Sequence, residues 1–132
     1  MPAWYGIAID RFCEETGTLA VLEYPETLPF IVKRIFWLSN IALDAVRGGH
    51  AHEDLQQVLF CGKGSCIIQL TDKIGNTESI TLRENDNGLY LDGPVWRTML
   101  NFTANCCLMV LCDRPYNEDR VIRSFDEFLA LP

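Results

Sequence analysis

Hydrophobic residues in this chain fall in short runs separated by turn residues, the signature of an all-β sandwich or barrel. The pattern predicts strands from Thr18 to Glu23 and from Phe30 to Leu38, the second rich in β-branched and aromatic residues. Gln56 to Cys61 and Cys66 to Leu70 form a predicted hairpin around Gly62-Lys63-Gly64. Turns at 72–76 and 84–88 bracket a strand from Glu78 to Leu82, and Leu89 to Leu91 is a short strand closed by Asp92-Gly93-Pro94. Trp96 to Phe102 and Cys106 to Cys112 complete the set, the last an apolar run expected of a strand buried on both faces. Only the tail reads as helix: Ser124 and Glu127 have capping-box spacing ahead of Phe128 and Leu129.

With 132 residues and 48% hydrophobic composition the chain buries one sizeable core, so 1–132 is read as a single domain. The six cysteines lack zinc-type spacing and several lie in apolar runs, where Cys acts as a small hydrophobe. Reduced thiols and a cytoplasmic location are expected. No leader pattern opens the sequence and no segment approaches the length of a membrane span, so no membrane association is expected. A net charge of −7 without a Lys or Arg run argues against a nucleic-acid partner. An anionic ligand would then depend on local arginines, and Arg34, Arg47 and Arg97 are the candidates.

The chemistry concentrates in Arg47-Gly48-Gly49-His50-Ala51-His52-Glu53, which holds the only two histidines. On an extended strand His-x-His puts both imidazoles on one face, roughly 7 Å apart. Such a pair can ligate a metal or move protons near neutral pH. About ten short strands with a central HxH resemble a cupin, a small double-sheet jelly-roll β-barrel. Against the cupin motifs, Gln57 stands at the position of the metal-binding carboxylate and Met99 at that of the third histidine, while Gly64, Gly88 and Pro94 keep their spacing. An amide and a thioether are poor ligands for hard or borderline divalent ions. No metal or other cofactor is therefore expected, and acid–base work by His50 and His52 becomes the leading reading.

The stretch RGGHAHEDLQQ, with Val58-Leu59, Gly64-Ser65-Cys66, Gly88-Leu89-Tyr90, Val95-Trp96, Tyr116-Asn117-Glu118 and Ile122-Arg123, strongly resembles the nucleotide-sugar 3,4-ketoisomerases. These WxcM-like cupins convert dTDP-4-keto-6-deoxy-D-glucose into a 3-keto-6-deoxy sugar, and the similarity runs from about Leu19 to Leu129. It implies a metal-free cupin, commonly a homodimer with exchanged N-terminal strands, serving deoxysugar synthesis for surface polysaccharide (lipopolysaccharide) or glycosides. It places His50 and His52 on the catalytic positions and Arg47 on a basic position beside them. Around them Arg34, Arg47, Arg97, Tyr90, Tyr116 and Gln57 are the expected substrate-binding residues, with Gln57 bonding a sugar hydroxyl or orienting His52.

The resemblance also sets departures. Arg97 stands where galacto-forming members tend to carry histidine, which favours the 3-keto-6-deoxy-D-glucose product. Glu53 replaces a common Lys, Ser39 follows a strand that often ends in an aromatic, and Arg120-Val121 occupies the usual Asp-Tyr position. These changes leave two alternatives open: a non-catalytic nucleotide-sugar-binding cupin, and a metal-dependent cupin enzyme completed by a distant carboxylate.

Overall fold

The computed structural model describes residues 3–132. Two five-stranded antiparallel sheets face each other, as a jelly roll requires. One has the order β1-β9-β6-β11-β4 and the other β12-β5-β10-β7-β8. Their strands are β1 (Trp4–Ile7), β4 (Arg34–Leu38), β5 (Arg47–His52), β6 (Gln56–Lys63), β7 (Ser65–Thr71), β8 (Thr77–Arg83), β9 (Gly88–Asp92), β10 (Trp96–Leu100), β11 (Cys107–Cys112) and β12 (Val121–Ile122). A separate hairpin, β2 (Asp10–Glu14) with β3 (Gly17–Val21), pairs only with itself.

Period-two alternation decides which side chains fill the barrel. Leu59, Cys61, Ile68, Leu70, Leu89, Leu91, Met99, Leu108 and Val110 share the inner core. On the outer face of the first sheet a second cluster of Ile7, Leu28, Phe30, Val58, Tyr90 and Leu111 forms under the incoming chain. The expectation that the Cys106–Cys112 run is buried on both faces is corrected here. Leu108, Val110 and Cys112 are buried inward; of the outward-facing residues only Leu111 is buried, under the incoming chain, whereas Cys107 and Met109 are half covered.

The predicted strand from Phe30 shortens to Arg34–Leu38, because Phe30 leaves the sheet to anchor against Tyr90, ring centroids 6.3 Å apart. The strand from Thr18 stops at Val21, since the Glu23 carbonyl accepts from the amides of Thr27 and Leu28 in a turn. The tail forms α1 (Phe125–Leu129), whose N-cap Ser124 Oγ accepts from the Glu127 amide. Phe128 and Phe125 of α1 pack on Trp96, with centroids 5.8 and 5.3 Å away, outside the second sheet.

Two glycines bend β5 where the histidines begin. Arg97 pairs with His50 but Thr98 pairs with Gly48, so Gly49 is the extra residue of a bulge. Gly48 and Gly49 have φ of 84° and 71°, and a Cβ on Gly48 would lie 2.9 Å from the Arg97 carbonyl oxygen. A side chain there meets both a left-handed backbone and a main-chain clash. Gly48→Ala is expected to destabilise the fold by about 1–3 kcal/mol, measured by urea unfolding, whereas Gly49→Ala, which meets nothing within 4 Å, costs only its backbone strain of about 1–2 kcal/mol.

Candidate active site

Beyond the bulge, β5 carries His50 and His52 into the mouth of the barrel, with His52 almost fully buried. Their rings stand edge to face at 83°, centroids 4.8 Å apart, with the two Nε2 atoms at 3.1 Å. The backbone spacing of a strand predicts a wider pair, but the rings tilt together over it. His52 Nδ1 lies 2.7 Å from Asp119 Oδ1, and the other carboxylate oxygen of Asp119 accepts from Arg34 Nη2 at 2.9 Å. A four-residue line therefore runs Arg34, Asp119, His52, His50. Asp119 sits between the 3₁₀ turn Tyr116–Glu118 and β12, and its side chain is only 2% exposed.

Below the histidines a buried polar contact joins the two sheets. Sheet register sets Arg34, Cys112 and Gln57 in a row on one wall and His50 beside Arg97 on the other. The Arg97 guanidinium crosses between them, donating to Gln57 Oε1 and, through Nε and Nη2, to the Val95 carbonyl. Gln57 in turn donates to Cys112 Sγ. Arg97 is buried without a carboxylate in contact, and burial lowers its pKa to about 10, with Asp119 and Cys112 opposing. It stays charged at neutral pH. That charge has consequences above it, where burial first and Arg97 second push both His50 and His52 below the ordinary imidazole value. Burial would raise the Asp119 carboxyl, but the hydrogen bonds and charges of Arg34 and His52 outweigh it and hold the group ionised.

Two adjoining chambers share Phe36, His50 and His52. The inner one, of about 100 Å³, is lined by Arg47, Gln57, Arg97 and Met99. The outer one, of about 340 Å³, is lined by Arg34, Tyr116, Asp119, Val121 and Arg123. Of the residues expected at the site, His50, His52, Arg34, Arg47, Gln57, Arg97 and Tyr116 are therefore brought together at the cavity, and Tyr90 is not. Tyr116 is exposed and lies 5.7 Å from the Arg34 guanidinium, ring centre to Cζ.

Two expectations, Tyr90 in the cavity and Gln57 orienting His52, are corrected, and Arg34 and Arg97 are found at the cavity with protein partners. Tyr90 is not in the cavity: with Leu89 and Leu91 turned inward, period two turns it outward, where its hydroxyl donates to Gln56 Oε1. Gln57 does not orient His52; its carbonyl is taken by Arg97, and Asp119 holds His52 instead. Arg97 lies at the floor, without exposure to reach a phosphate, and Arg34 is committed to Asp119. The sequence reading missed Asp119 and Arg123, both inside the Tyr116–Arg123 stretch that it noted for other reasons.

The positions at which cupins carry metal ligands do converge here, since His50, His52, Gln57 and Met99 line one chamber. A guanidinium bound to the Gln57 carbonyl gives that place a fixed positive charge, which opposes a divalent cation. Among the described residues, the one group of donors close enough to share a metal ion is Cys61, Cys66 and Cys106, in the apolar core of the barrel. Mutual hydrogen bonding and burial push the Cys61 thiol up, and burial pushes Cys106 up to about 12, so both are protonated thiols packed as small hydrophobes.

This geometry meets its counterpart in known proteins. The profile of the family described as FdtA: WxcM-like, C-terminal, matches residues 5–132. The chain belongs to this family. A curated member from Aneurinibacillus thermoaerophilus, TDP-4-oxo-6-deoxy-alpha-D-glucose-3,4-oxoisomerase, is 37% identical over 123 residues, covering 92% of this chain and 87% of its own length. Among solved structures, the WlaRB TDP-quinovose 3,4-ketoisomerase from Campylobacter jejuni superposes with a TM-score of 0.91 at 35% identity, covering 99% of this chain and all of that one. QdtA, a sugar 3,4-ketoisomerase from Thermoanaerobacterium thermosaccharolyticum in complex with TDP, gives a TM-score of 0.90 at 34% identity, covering 96% and 92%.

Two departures from the family pattern prove to be one. Glu53 and Arg120 face each other, with the Glu53 amide donating to the Arg120 carbonyl at 3.0 Å and their side chains paired at 3.6 Å. The Lys and Asp that the resemblance implies at these places would pair with opposite signs, so the exchange preserves the contact, while Val121, where the resemblance implies Tyr, lines the outer chamber. Because the pair is largely exposed, Glu53→Lys alone is expected to cost about 0.5–1 kcal/mol, and adding Arg120→Asp to recover most of it, a coupling read by a double-mutant cycle in urea.

Proposed function

We propose that this protein is a sugar-nucleotide 3,4-ketoisomerase that converts dTDP-4-keto-6-deoxy-D-glucose into a dTDP-3-keto-6-deoxy-hexose through an enediol. The observation that carries this reading is the paired, neutral histidines at 3.1 Å inside a cationic cavity. The C4 carbonyl acidifies the hydrogen on C3. A neutral imidazole takes that proton and O4 gains one, giving the enediol; O3 then gives up its proton as C4 receives one, and the carbonyl ends on C3. No atom is gained or lost. Keeping the imidazoles neutral is the task of burial and Arg97, because a protonated histidine cannot act as base. Negative charge that develops on the enediol oxygens lies in the positive potential of Arg97, which acts here through its charge.

The relatives' names supply the substrate class. One is named for TDP-4-oxo-6-deoxy-glucose, and another is solved with TDP. Arg47 and Arg123 are exposed at the cavity and free to take a pyrophosphate, a role that Arg34 and Arg97 are not placed to fill. Tyr116 extends the outer wall toward the nucleotide. Arg97 in the place of the galacto-type histidine favours 3-keto-6-deoxy-D-glucose as product, which deoxysugar pathways for surface polysaccharide or glycosides consume. No described helix is long and apolar enough to cross a membrane, and six free thiols support a cytoplasmic place of action.

A homodimer with an exchanged N-terminal segment fits the surface. β1 pairs with β9 of its own chain, but the β2–β3 hairpin has no sheet partner and exposes Phe12 and Leu19. An isolated hairpin is marginal in water. The free edge strand β4 exposes Ile35 and Trp37, an apolar face suited to receive a hairpin from a second copy.

Two outcomes are expected. In deuterated water, NMR of the reaction with dTDP-4-keto-6-deoxy-D-glucose shows solvent deuterium entering at C4 of a 3-keto product, and His50→Asn or His52→Asn slows turnover by about 10²–10⁴-fold; unchanged turnover in both variants refutes the reading. Sedimentation gives a species of twice the 15.0 kDa chain mass, and Phe12→Asp with Leu19→Asp yields the monomer.

A further inference from the structure

We propose that Asp119 is the positioning residue of the histidine pair, its carboxylate holding His52 in the Nδ1–H tautomer so that the two rings work as one proton-carrying unit. The inference rests on the reading of His50 and His52 as proton-transfer groups and adds a third residue to them.

An ionised carboxylate only accepts hydrogen bonds, so the 2.7 Å contact requires the proton to sit on His52 Nδ1. Neutral His52 then carries a lone pair on Nε2. That lone pair faces His50 Nε2 at 3.1 Å, and the contact is attractive only when a proton lies between the two nitrogens. In the neutral pair that proton belongs to His50, whose ring also meets the Gly48 backbone in a contact that favours its protonated form. The carboxylate cannot swing away, because its second oxygen accepts from Arg34 and the side chain is 2% exposed. Arg34 thereby has a role other than holding phosphate: it keeps Asp119 oriented and ionised.

The charges around the pair make the assignment sharper. Arg47 from β5, Arg97 from β10, Arg34 from β4 and Arg123 after β12 all line the cavity, with the Cys112 thiol from β11 between Arg34 and Gln57. Every one of those cations opposes a positive charge on the histidines. Among the described residues Asp119 is the one carboxylate lining either chamber, hence the counter-charge to the imidazolium formed when the pair accepts the C3 proton. Through the cycle the pair gains one proton and returns one, and Asp119 stays ionised.

The test has two arms. In the ligand-free protein, long-range ¹H–¹⁵N spectra resolve just two imidazoles. They are expected to show His52 as Nδ1–H and His50 as Nε2–H in the wild type, and to lose the His52 preference in Asp119→Ala. In the second arm Asp119→Asn, which keeps a carbonyl oxygen to accept from His52 but removes the charge, lowers kcat by about 10²-fold with a smaller change in KM. A carboxylate favours the protonated imidazole, so its removal lowers the pKa of the base, and the acidic limb of kcat/KM moves to lower pH by about one unit. His52 found as Nε2–H in the wild type overturns the proposal, as does an Asp119→Asn enzyme with unchanged pH profile; a merely structural role would lower activity without moving that limb. A wild type that turns over no 4-keto sugar overturns the ketoisomerase reading instead, and the tautomer spectra decide on Asp119 independently.

Discussion

The guanidinium of Arg97 is the constraint on which the site depends. It crosses the gap between the two sheets, wholly buried, with amide and carbonyl oxygens as its partners and no carboxylate touching it. Such a charge is costly to bury, and breaking its contacts would cost more than the contacts themselves contribute. It divides the barrel into an apolar lower part packed with Leu59, Ile68, Leu70 and Leu108 and an upper part given to chemistry. It occupies the Gln57 oxygen, where cupins hold metal, and it keeps the imidazoles above it unprotonated. One side chain thus bears on both the place of the cupin metal and the charge state of the histidines.

Much of the architecture was legible because alternation and turn residues are local signals. The strands from Gln56 to Leu70, the hairpin at Gly62–Gly64 and the Ser124 cap all appear where their residues place them, within a residue or two at the ends. What failed did so where the answer lay in pairing. β12 is two residues long and exists only because His52 and Ala51 pair with it, so no run in the sequence marks it. β1 and β2 mix polar and apolar residues without clean alternation and went unread.

The site was legible in its chemistry and not in its wiring. His-x-His and the glycines before it are adjacent in sequence, and the bulge that aims them is itself coded by Gly48-Gly49. Asp119 lies 67 residues from His52, and its role follows from the path of the 3₁₀ turn, which spacing cannot show. The error over Tyr90 was avoidable: its neighbours Leu89 and Leu91 are core residues, so parity alone assigns the tyrosine to the other face. Glu53 and Arg120 are far apart in sequence, but once β12 lies beside β5 they are one contact, while Val121 beside them lines the outer chamber.

The distribution of charge also resolves how so acidic a chain would bind a dianionic nucleotide. Of eleven basic residues, four arginines, Arg34, Arg47, Arg97 and Arg123, line the two chambers, against one carboxylate. A positive cleft walled by low-dielectric protein focuses its field outward, while the negative remainder of the surface repels anions elsewhere. The four do not act alike. Arg47 and Arg123 are exposed and can meet phosphate oxygens directly. Arg34 is spent on Asp119 and Arg97 on Gln57, so these two shape the field at the reacting carbons without competing for the phosphates. On the proposed reading, binding and proton transfer then fall to different cations, with a pyrophosphate met at the rim and the histidines' charge set by the other two.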